Sequence, residues 1–443
     1  MTQNADQLNS LRVGLAGLGT VGGGTWEVLK RNADEIARRA GRSIAITAVA
    51  DLDTAKATSL TQGLARVEPD AMALARDPNL DVVIELIGGY GFAKSFVMEA
   101  IQHGKHVVTA NKALLATHGN EIFAAAEAKG VSVSFEAAVA GGIPIIKALR
   151  EGLAANKIEW VAGIINGTTN FILSEMRDKG LPFAEVLKEA QRLGYAEADP
   201  TFDIEGVDAA HKATIMASIA FGVPLQFEKA HVEGISALQA QDIQYAEQMG
   251  YRIKLLGITK RHAQGIELRV HPTLIPAKRL IANVEGAMNA VLVKGDAVGH
   301  TLYYGKGAGA EPTASAVIAD LVDVARSLNV SSAHRVPHLG FQSDQKIALP
   351  VVPIAQVISA YYLRLRVKDQ PGVLADITRV LAQAKISIDA FFQREPQEGD
   401  HETDVVLITH TCVEKEMRAA IQAIEALSTV IAPVVMLRLE SFS

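Results

Sequence analysis

The sequence predicts an α/β protein of three successive units: an open parallel sheet with helices on its faces, a mixed α+β unit, and a small C-terminal unit of β-α-β-β-α-β order. Three observations predict it. A strand, 11–16, runs directly into Gly17-Leu18-Gly19-Thr20-Val21-Gly22 and then a helix with Trp26, Leu29, Ala33 and Ile36 at three- and four-residue spacing. Apolar strand-like runs follow at 44–50, 81–87 and 105–110, each leading on into other text, as in a parallel sheet. Between residues 360 and 439, alternating runs and helical stretches give strand, helix, strand, strand, helix, strand, which is ferredoxin-like. The boundaries expected are 1–140 for a Rossmann-like nucleotide-binding domain, 141–330 for the second domain with its last helix returning to the first, 331–357 for a linker, and 358–443 for the ferredoxin-like domain.

Bulk properties bound the function. The 443 residues suit roughly two or three domains. At 49% hydrophobic the chain can bury large cores, and a net charge of −6 argues against a general nucleic-acid binder, which needs a basic face. One cysteine, Cys412, cannot form an internal disulfide and fits a reducing compartment. The first seven residues lack the basic start and apolar core of a leader, and the longest apolar stretch, 213–227, is broken by Ser, Gly, Pro and Gln. A soluble, cytoplasmic protein with no membrane partner is the expectation.

In the first unit, strand, Gly-x-Gly-x-x-Gly and helix follow in the order of the dinucleotide-binding fingerprint. The glycines let backbone approach a pyrophosphate, and the helix N-terminus offers free N–H groups and a favourable dipole. Gly17, Gly19, Thr20, Val21 and Gly22 are therefore candidate cofactor contacts, against the alternative of a tight turn without a ligand. Asp51 closes the second strand, where an acid holds ribose hydroxyls and favours NAD over NADP. Its distance from the glycines is long, because the helix is read as continuing through Arg38 and Arg39, and Lys56 could reach a phosphate. Arg31, Arg38, Arg39 and Arg42 read as a solvated helix end. The strand 81–87 ends at Gly88-Gly89, and strand ends of such a sheet are where ligands sit. Lys112 follows the next strand, and a lysine facing water is the alternative to a functional one.

In the second unit, 158–165 reads as a strand closed by Asn166-Gly167-Thr168-Thr169-Asn170, whose donors suit a carboxylate or simply cap the next helix. Gly194 to Lys212 then packs five carboxylates and one lysine into nineteen residues with few large apolar side chains. Gly194 and Pro200 mark a loop, and from Val207 the text is helical. Asp208 and Lys212 share a face with Ile215 and Ile219. A lysine on a mostly apolar face is costly unless paired or used, though a plain surface ion pair is the other reading.

The run Ala190-x-x-x-Gly194-Tyr195-Ala196 … Asp199-Pro200-x-x-Asp203-Ile204-x-Gly206-x-Asp208-x-x-x-Lys212 resembles the signature of the homoserine dehydrogenase family, without a departure inside it. Asp369-x-Pro-Gly-Val-Leu after the first strand of the C-terminal unit resembles an ACT domain. The resemblance covers nearly the whole chain and implies interconversion of L-homoserine and L-aspartate 4-semialdehyde with NAD(P), the family using NAD, NADP or both. It implies an α+β catalytic and dimerisation domain whose sheet pairs subunits, hence a homo-oligomer, dimer or tetramer. It places Lys112 at the cofactor–substrate junction, either on the cofactor or in proton transfer as a second catalytic lysine, Gly167 and Thr168 at the substrate carboxylate, and Gly194 and Gly309 against the cofactor, a plain turn being the other reading of Gly309. It puts a sodium-like monovalent cation on main-chain carbonyls near Glu136, Val139, Gly141 and Ile143; oxygen ligands from a glycine-rich turn suit a hard cation, and the residues by themselves read as a domain hinge. It implies threonine, methionine and isoleucine biosynthesis from aspartate, and an amino acid effector at the ACT domain, L-threonine first, against a purely structural dimerisation module. No aspartokinase domain is expected, since too little chain precedes residue 11.

The residue chemistry agrees with the resemblance. A hydride leaving a carbinol carbon needs a base for the hydroxyl proton, and a desolvated lysine can serve. Lys212 is the expected acid/base, Glu197 and Asp208 the pair for the substrate ammonium, and Asp203 the orienting carboxylate. Two other classes are weighed. An aldehyde dehydrogenase of the aspartate-semialdehyde type needs a cysteine nucleophile, and Cys412 lies far along the chain from the cofactor motif. A non-catalytic amino acid sensor would keep the C-terminal unit but has no need of Glu197, Asp208 and Lys212.

Overall fold

Six parallel strands in the order β3-β2-β1-β4-β5-β6 form the first sheet of the computed structural model, which describes residues 10–393 and 401–442. The strands are β1 (Leu11–Ala16), β2 (Ile44–Ala50), β3 (Arg66–Glu68), β4 (Val82–Glu85), β5 (His106–Thr109) and β6 (Val133–Ser134). Strand order reverses between β1 and β4, and the glycine turn opens there at the carboxyl ends, the ligand crevice of such sheets. Helices α1 (Thr20–Arg31), α2 (Ala33–Ala40), α3 (Thr54–Thr61), α4 (Ala71–Arg76), α5 (Gly91–Gln102) and α6 (Lys112–Lys129) connect them. The helix expected to run through Arg39 breaks at Asn32, whose amide caps Val28 and whose carbonyl receives the amide of Ile36. The last strand, expected over 131–136, pairs only at Val133 and Ser134, because the chain turns at Glu136. The N-terminal residues read for a leader and the hairpin expected across Glu398-Gly399-Asp400 lie outside the described residues.

The second unit contributes β7 (Ile158–Ile164), β8 (His231–Val232), β9 (Tyr251–His262), β10 (Gly265–Pro276), β11 (Met288–Gly295) and β12 (Gly299–Lys306). Its helices are α7 (Gly167–Lys179), α8 (Phe183–Arg192), α9 (Thr201–Ile204), α10 (Val207–Phe221), α11 (Ala240–Gln248) and α12 (Ala310–Ser327). Helix α10 is buried all round from Asp208 to Phe221 and packs on β7, β9 and β10, with the polar residues Asp208, His211 and Lys212 in its first half. Helix α12 returns to the first unit and packs on α1, where a Cβ at Gly24 would run into the Ala310 carbonyl.

The third unit has β13 (Ile358–Lys368), β14 (Ile388–Gln393), β15 (Glu402–Thr409), β16 (Cys412–Val413) and β17 (Val435–Leu439), with α13 (Val373–Gln383) and α14 (Glu414–Glu425) on one face. Its sheet is not separate. Strand β17 pairs parallel with β10, Thr273 opposite Arg438 and Leu274 opposite Leu439, so one mixed sheet runs β12-β11-β7-β9-β10-β17-β13-β15-β14. The stretch before β13, expected as a linker, is fastened as a strap to the first two units. His338 stacks on Phe123 at 5.3 Å, the Ile347 amide donates to Gly222, and Val351 bridges to Ile266.

Candidate active site

The site forms where α10 begins. Gly206 precedes it with φ of 81°, a left-handed conformation that glycine adopts without strain. One turn on, Lys212 Nζ donates to Asp208 Oδ2 at 2.6 Å and to the Ile165 carbonyl at 2.7 Å. Lys112 Nζ, at the start of α6, stands 3.3 Å from the other Asp208 oxygen. Asn166 ties the cluster together, its Nδ2 donating to Asp203 Oδ1 at 2.7 Å and to Asp208 Oδ2 at 2.9 Å. The structure thus gathers Lys112, Asp203, Asp208 and Lys212 from three elements of the chain.

Burial and charge tune these groups. Desolvation lowers the Lys212 pKa from its ordinary value, Asp208 opposes that, and Lys112 adds to it. Burial alone would raise Asp208, but Lys212, Lys112 and the donated hydrogen bonds outweigh it and hold the carboxyl well below the usual range. Asp203 is pushed up, first by burial and then by the Asp208 charge. One carboxylate is thereby kept ionised beside a lysine whose pKa burial draws down and Asp208 draws up, the net shift being downward.

A cleft of about 360 Å³ opens beside this cluster, lined by Val21, the 85–90 turn, residues 110–113 and Phe202. Its floor is built by buried polar groups. Glu85 accepts the amides of Ile87 and Gly88 at 2.9 Å and the Thr109 hydroxyl at 2.6 Å. Asn111 donates to the Gly89 carbonyl at 2.8 Å and caps α6 through the Leu114 amide. In the glycine turn, Gly17 has φ of 92° and a Cβ at Gly22 would strike the Gly17 carbonyl, while Gly19 faces open space. That cradle fits a dinucleotide phosphate. The Asp51 carboxylate receives the Leu18 amide at 2.6 Å and the Asp53 amide at 2.9 Å, so it fastens the glycine turn to the end of β2. Gly309 precedes α12, whose first residue, Ala310, lies against Gly24 of α1.

Other expected residues stand apart or are differently engaged. Glu197 lies in the exposed loop, and among the described residues its carboxylate forms no hydrogen bond or ion pair; only its carbonyl is held, by Gln191. Gly194 is exposed with φ of 77°. The Thr168 hydroxyl donates to the Tyr195 carbonyl at 2.7 Å, which fastens the signature loop onto the first turn of α7; a Cβ at Gly167 would press on the Ala287 carbonyl. Asn166, which holds both aspartates, was not singled out by sequence reasoning. Its one signal is the strand-ending Asn-Gly-Thr-Thr, where its side-chain oxygen caps α7 through Thr169.

The 136–143 turn fits a hard cation in part. Ala140 and Gly141 are both left-handed, φ 55° and 37°, which redirects successive carbonyls. Ile143 O accepts the Ile145 amide at 2.7 Å, and the Glu136 carboxylate is spent on the amides of Ile146 and Lys147 at 2.9 Å. Among the described residues the carbonyls of Val139 and Gly141 accept no main-chain amide, so they are the oxygens open to a ligand.

Comparison with known proteins completes the picture. Residues 17–136 match the family model described as homoserine dehydrogenase, NAD binding domain; 144–322 match that of homoserine dehydrogenase; and 361–429 match the ACT domain. Homoserine dehydrogenases of Pseudomonas aeruginosa and Neisseria gonorrhoeae are each 58% identical, over 98% of this chain and 100% and 99% of theirs. The crystal structure of a homoserine dehydrogenase from Thiobacillus denitrificans superposes with a TM-score of 0.94 at 64% identity, covering 98% of this chain and 99% of that one.

Proposed function

This chain belongs to the homoserine dehydrogenase family, and from that premise we propose that it interconverts L-homoserine and L-aspartate 4-semialdehyde with Lys212 as the proton carrier. The observation that carries this is the Lys212 ammonium held at 2.6 Å from Asp208 and 2.7 Å from the Ile165 carbonyl, next to Lys112 and the cleft. A bound nicotinamide ring supplies the hydride acceptor or donor. In the oxidising direction neutral Lys212 takes the hydroxyl proton; in the reducing direction its ammonium returns one to the aldehyde oxygen. Asp208 meets the substrate ammonium, with Glu197 of the exposed loop as second carboxylate, and Asp203 orients them through Asn166. Gly167 and Thr168, at the start of α7, take the substrate carboxylate. Lys112 lies between cofactor and substrate. The glycine turn at Gly17, Gly19, Thr20, Val21 and Gly22 holds the dinucleotide, with Asp51, Gly194 and Gly309 around it.

Finer features belong to the same reading. A sodium-like cation takes the carbonyls near Glu136, Val139, Gly141 and Ile143, where it would fix the turn between the first two units. The ACT domain binds an amino acid effector, L-threonine first, and so places the reaction in synthesis of threonine, methionine and isoleucine. The enzyme works as a homo-oligomer. An acylating aldehyde dehydrogenase is disfavoured by its missing nucleophile: Cys412 sits on β16, and burial, then Glu416 and Glu414, push its thiol up to about 11.

The test is initial-rate oxidation of L-homoserine at alkaline pH with NAD and NADP in parallel. The native chain should reduce one or both, and Lys212→Ala should lower kcat by about a hundredfold to ten-thousandfold. No reduction of either cofactor by the native chain would overturn the substrate assignment. Full turnover in Lys212→Ala would overturn the proton carrier alone.

A further inference from the structure

Among the described residues, Phe202 is the one residue of the cleft lining that comes from the second unit. The rest, including Val21, Gly88, Gly89, Asn111 and Lys112, belongs to the first. Phe202 sits in α9, one residue before Asp203, and is 40% exposed. Its exposed ring, like that of Tyr90 in the same lining, is available to a ligand in the cleft. Behind it the ring is backed by His211 at 5.3 Å, and His211 in turn by Phe227 at 4.2 Å. His211 is wholly buried, and neither of its ring nitrogens has a hydrogen-bond partner among the described residues. An apolar side chain would fill that space without leaving two buried polar atoms unsatisfied. Its place on α10, between Asp208 and Lys212 in sequence, ties this tilted aromatic cluster to the helix that carries Asp208 and Lys212.

The cleft runs from the glycine turn to Lys112, and Lys112 touches Asp208. A dinucleotide with its pyrophosphate at the glycine turn would bring its nicotinamide to the Lys112 end, beside Phe202. That ring changes charge in the reaction: it is a pyridinium cation when oxidised and neutral when reduced. The face of a phenyl ring packs against either form, and it adds an electrostatic attraction only for the cation. We propose that Phe202 is a redox-state-selective contact for the nicotinamide ring, an aromatic platform that favours the oxidised cofactor, and that His211 is the positioning residue that holds it. The inference rests on the reading of this cleft as the NAD(P) site. The chemistry behind the platform is consistent with it, since burial, with Lys112 and Lys212 working against Asp208, pushes the His211 pKa down to about 4 and keeps a positive charge from forming behind the ring.

The experiment is equilibrium binding of NAD, NADP, NADH and NADPH to the full chain, by calorimetry for the oxidised forms and nucleotide fluorescence for the reduced ones. Phe202→Leu keeps an apolar side chain and removes the π face. It should weaken whichever oxidised cofactor binds by about tenfold and its reduced partner by less than about twofold, and Phe202→Trp should restore the native ratio. His211→Ala should lower the same oxidised-to-reduced ratio, and His211→Phe should keep it. If Phe202→Leu weakens both forms equally, or neither, the platform is overturned while the cofactor site stands. If the native chain binds none of the four, the cofactor reading falls and takes the platform with it. If His211→Ala leaves the ratio at the native value, the positioning role of His211 is overturned. Circular dichroism and melting temperature on each variant separate these outcomes from misfolding.

Discussion

At the scale of single residues, the cluster works by setting one charge against another. Lys212 loses solvation and is partly compensated by Asp208, so its charged form is held less firmly than that of a surface lysine. Removing the carboxylate makes the sign of the next step predictable. Asp208→Asn takes away the anion that favours the ammonium, so the Lys212 pKa falls further. Oxidation requires the neutral amine and therefore rises with pH through that pKa. The rising limb of kcat for L-homoserine oxidation should move to lower pH in Asp208→Asn, and the falling limb of the reducing direction should move the same way. A limb that stays in place, or moves upward, would detach Asp208 from Lys212. The pair Asp208 and Lys212 was legible because helical periodicity puts positions four apart on one face. Asn166 was not, because its contacts with Asp203 and Asp208 span thirty-seven and forty-two residues and no spacing rule reaches that far. Glu197 illustrates the reverse: its place in the carboxylate-rich run is plain in sequence, but the loop leaves it outside the hydrogen-bonded cluster.

At the scale of elements, strand β6 depends on two histidines. His106 Nδ1 accepts the Ser132 amide at 3.0 Å, and His338 Nε2 accepts the Val133 amide at 3.0 Å from the strap. An imidazole can accept only while neutral. Burial, then Arg335 against Asp81, lowers His106 to about 4; burial, then Arg150, Lys346 and Arg335, does the same for His338. The unfolded chain would protonate both near 6.5. Between pH 6.5 and 4 the unfolded state therefore binds protons that the folded state does not, so this stability is complete above that window and is lost as pH falls through it. The melting temperature should drop between pH 7 and pH 5. The drop should be smaller in His106→Asn combined with His338→Gln, because each amide oxygen replaces the accepting nitrogen without titrating. An equal drop in native and variant chains would remove the histidines from the account. Sequence reading found the order of strands and helices here from apolar runs and glycine turns. It misjudged what long-range contacts decide: β6 is short and the first helix breaks at Asn32.

At the scale of the whole molecule, the second and third units share a sheet, and their seam is charged. Arg438 on β17 is 1% exposed and forks to Glu414 at the start of α14, at 2.7 Å to each oxygen. It also reaches Glu233, beside β8, at 2.8 and 3.0 Å. Next to it Arg269 on β10 pairs with Glu267 at 2.7 Å and with Glu440 of the third unit. None of this was visible in sequence, since two residues of parallel register between β10 and β17 leave no periodicity to read. The seam also leads toward the site: the Ile235 amide donates to Ile204 at 2.8 Å, at the end of α9 and next to Asp203. Removing one partner of a buried ion pair leaves the other charge uncompensated and costs about 3–5 kcal/mol. Arg438→Met should therefore destabilise the chain by about that amount in urea unfolding, and adding Glu414→Gln should recover part of it. Since the two units are joined through one sheet, amide exchange in Arg438→Met should quicken in β10 and in β17 together, and the KM for L-homoserine should rise as the turn before Gly206 loosens. Faster exchange confined to the third unit, with β10 and KM unchanged, would mean that the C-terminal domain is a neighbour of the catalytic sheet rather than part of its support.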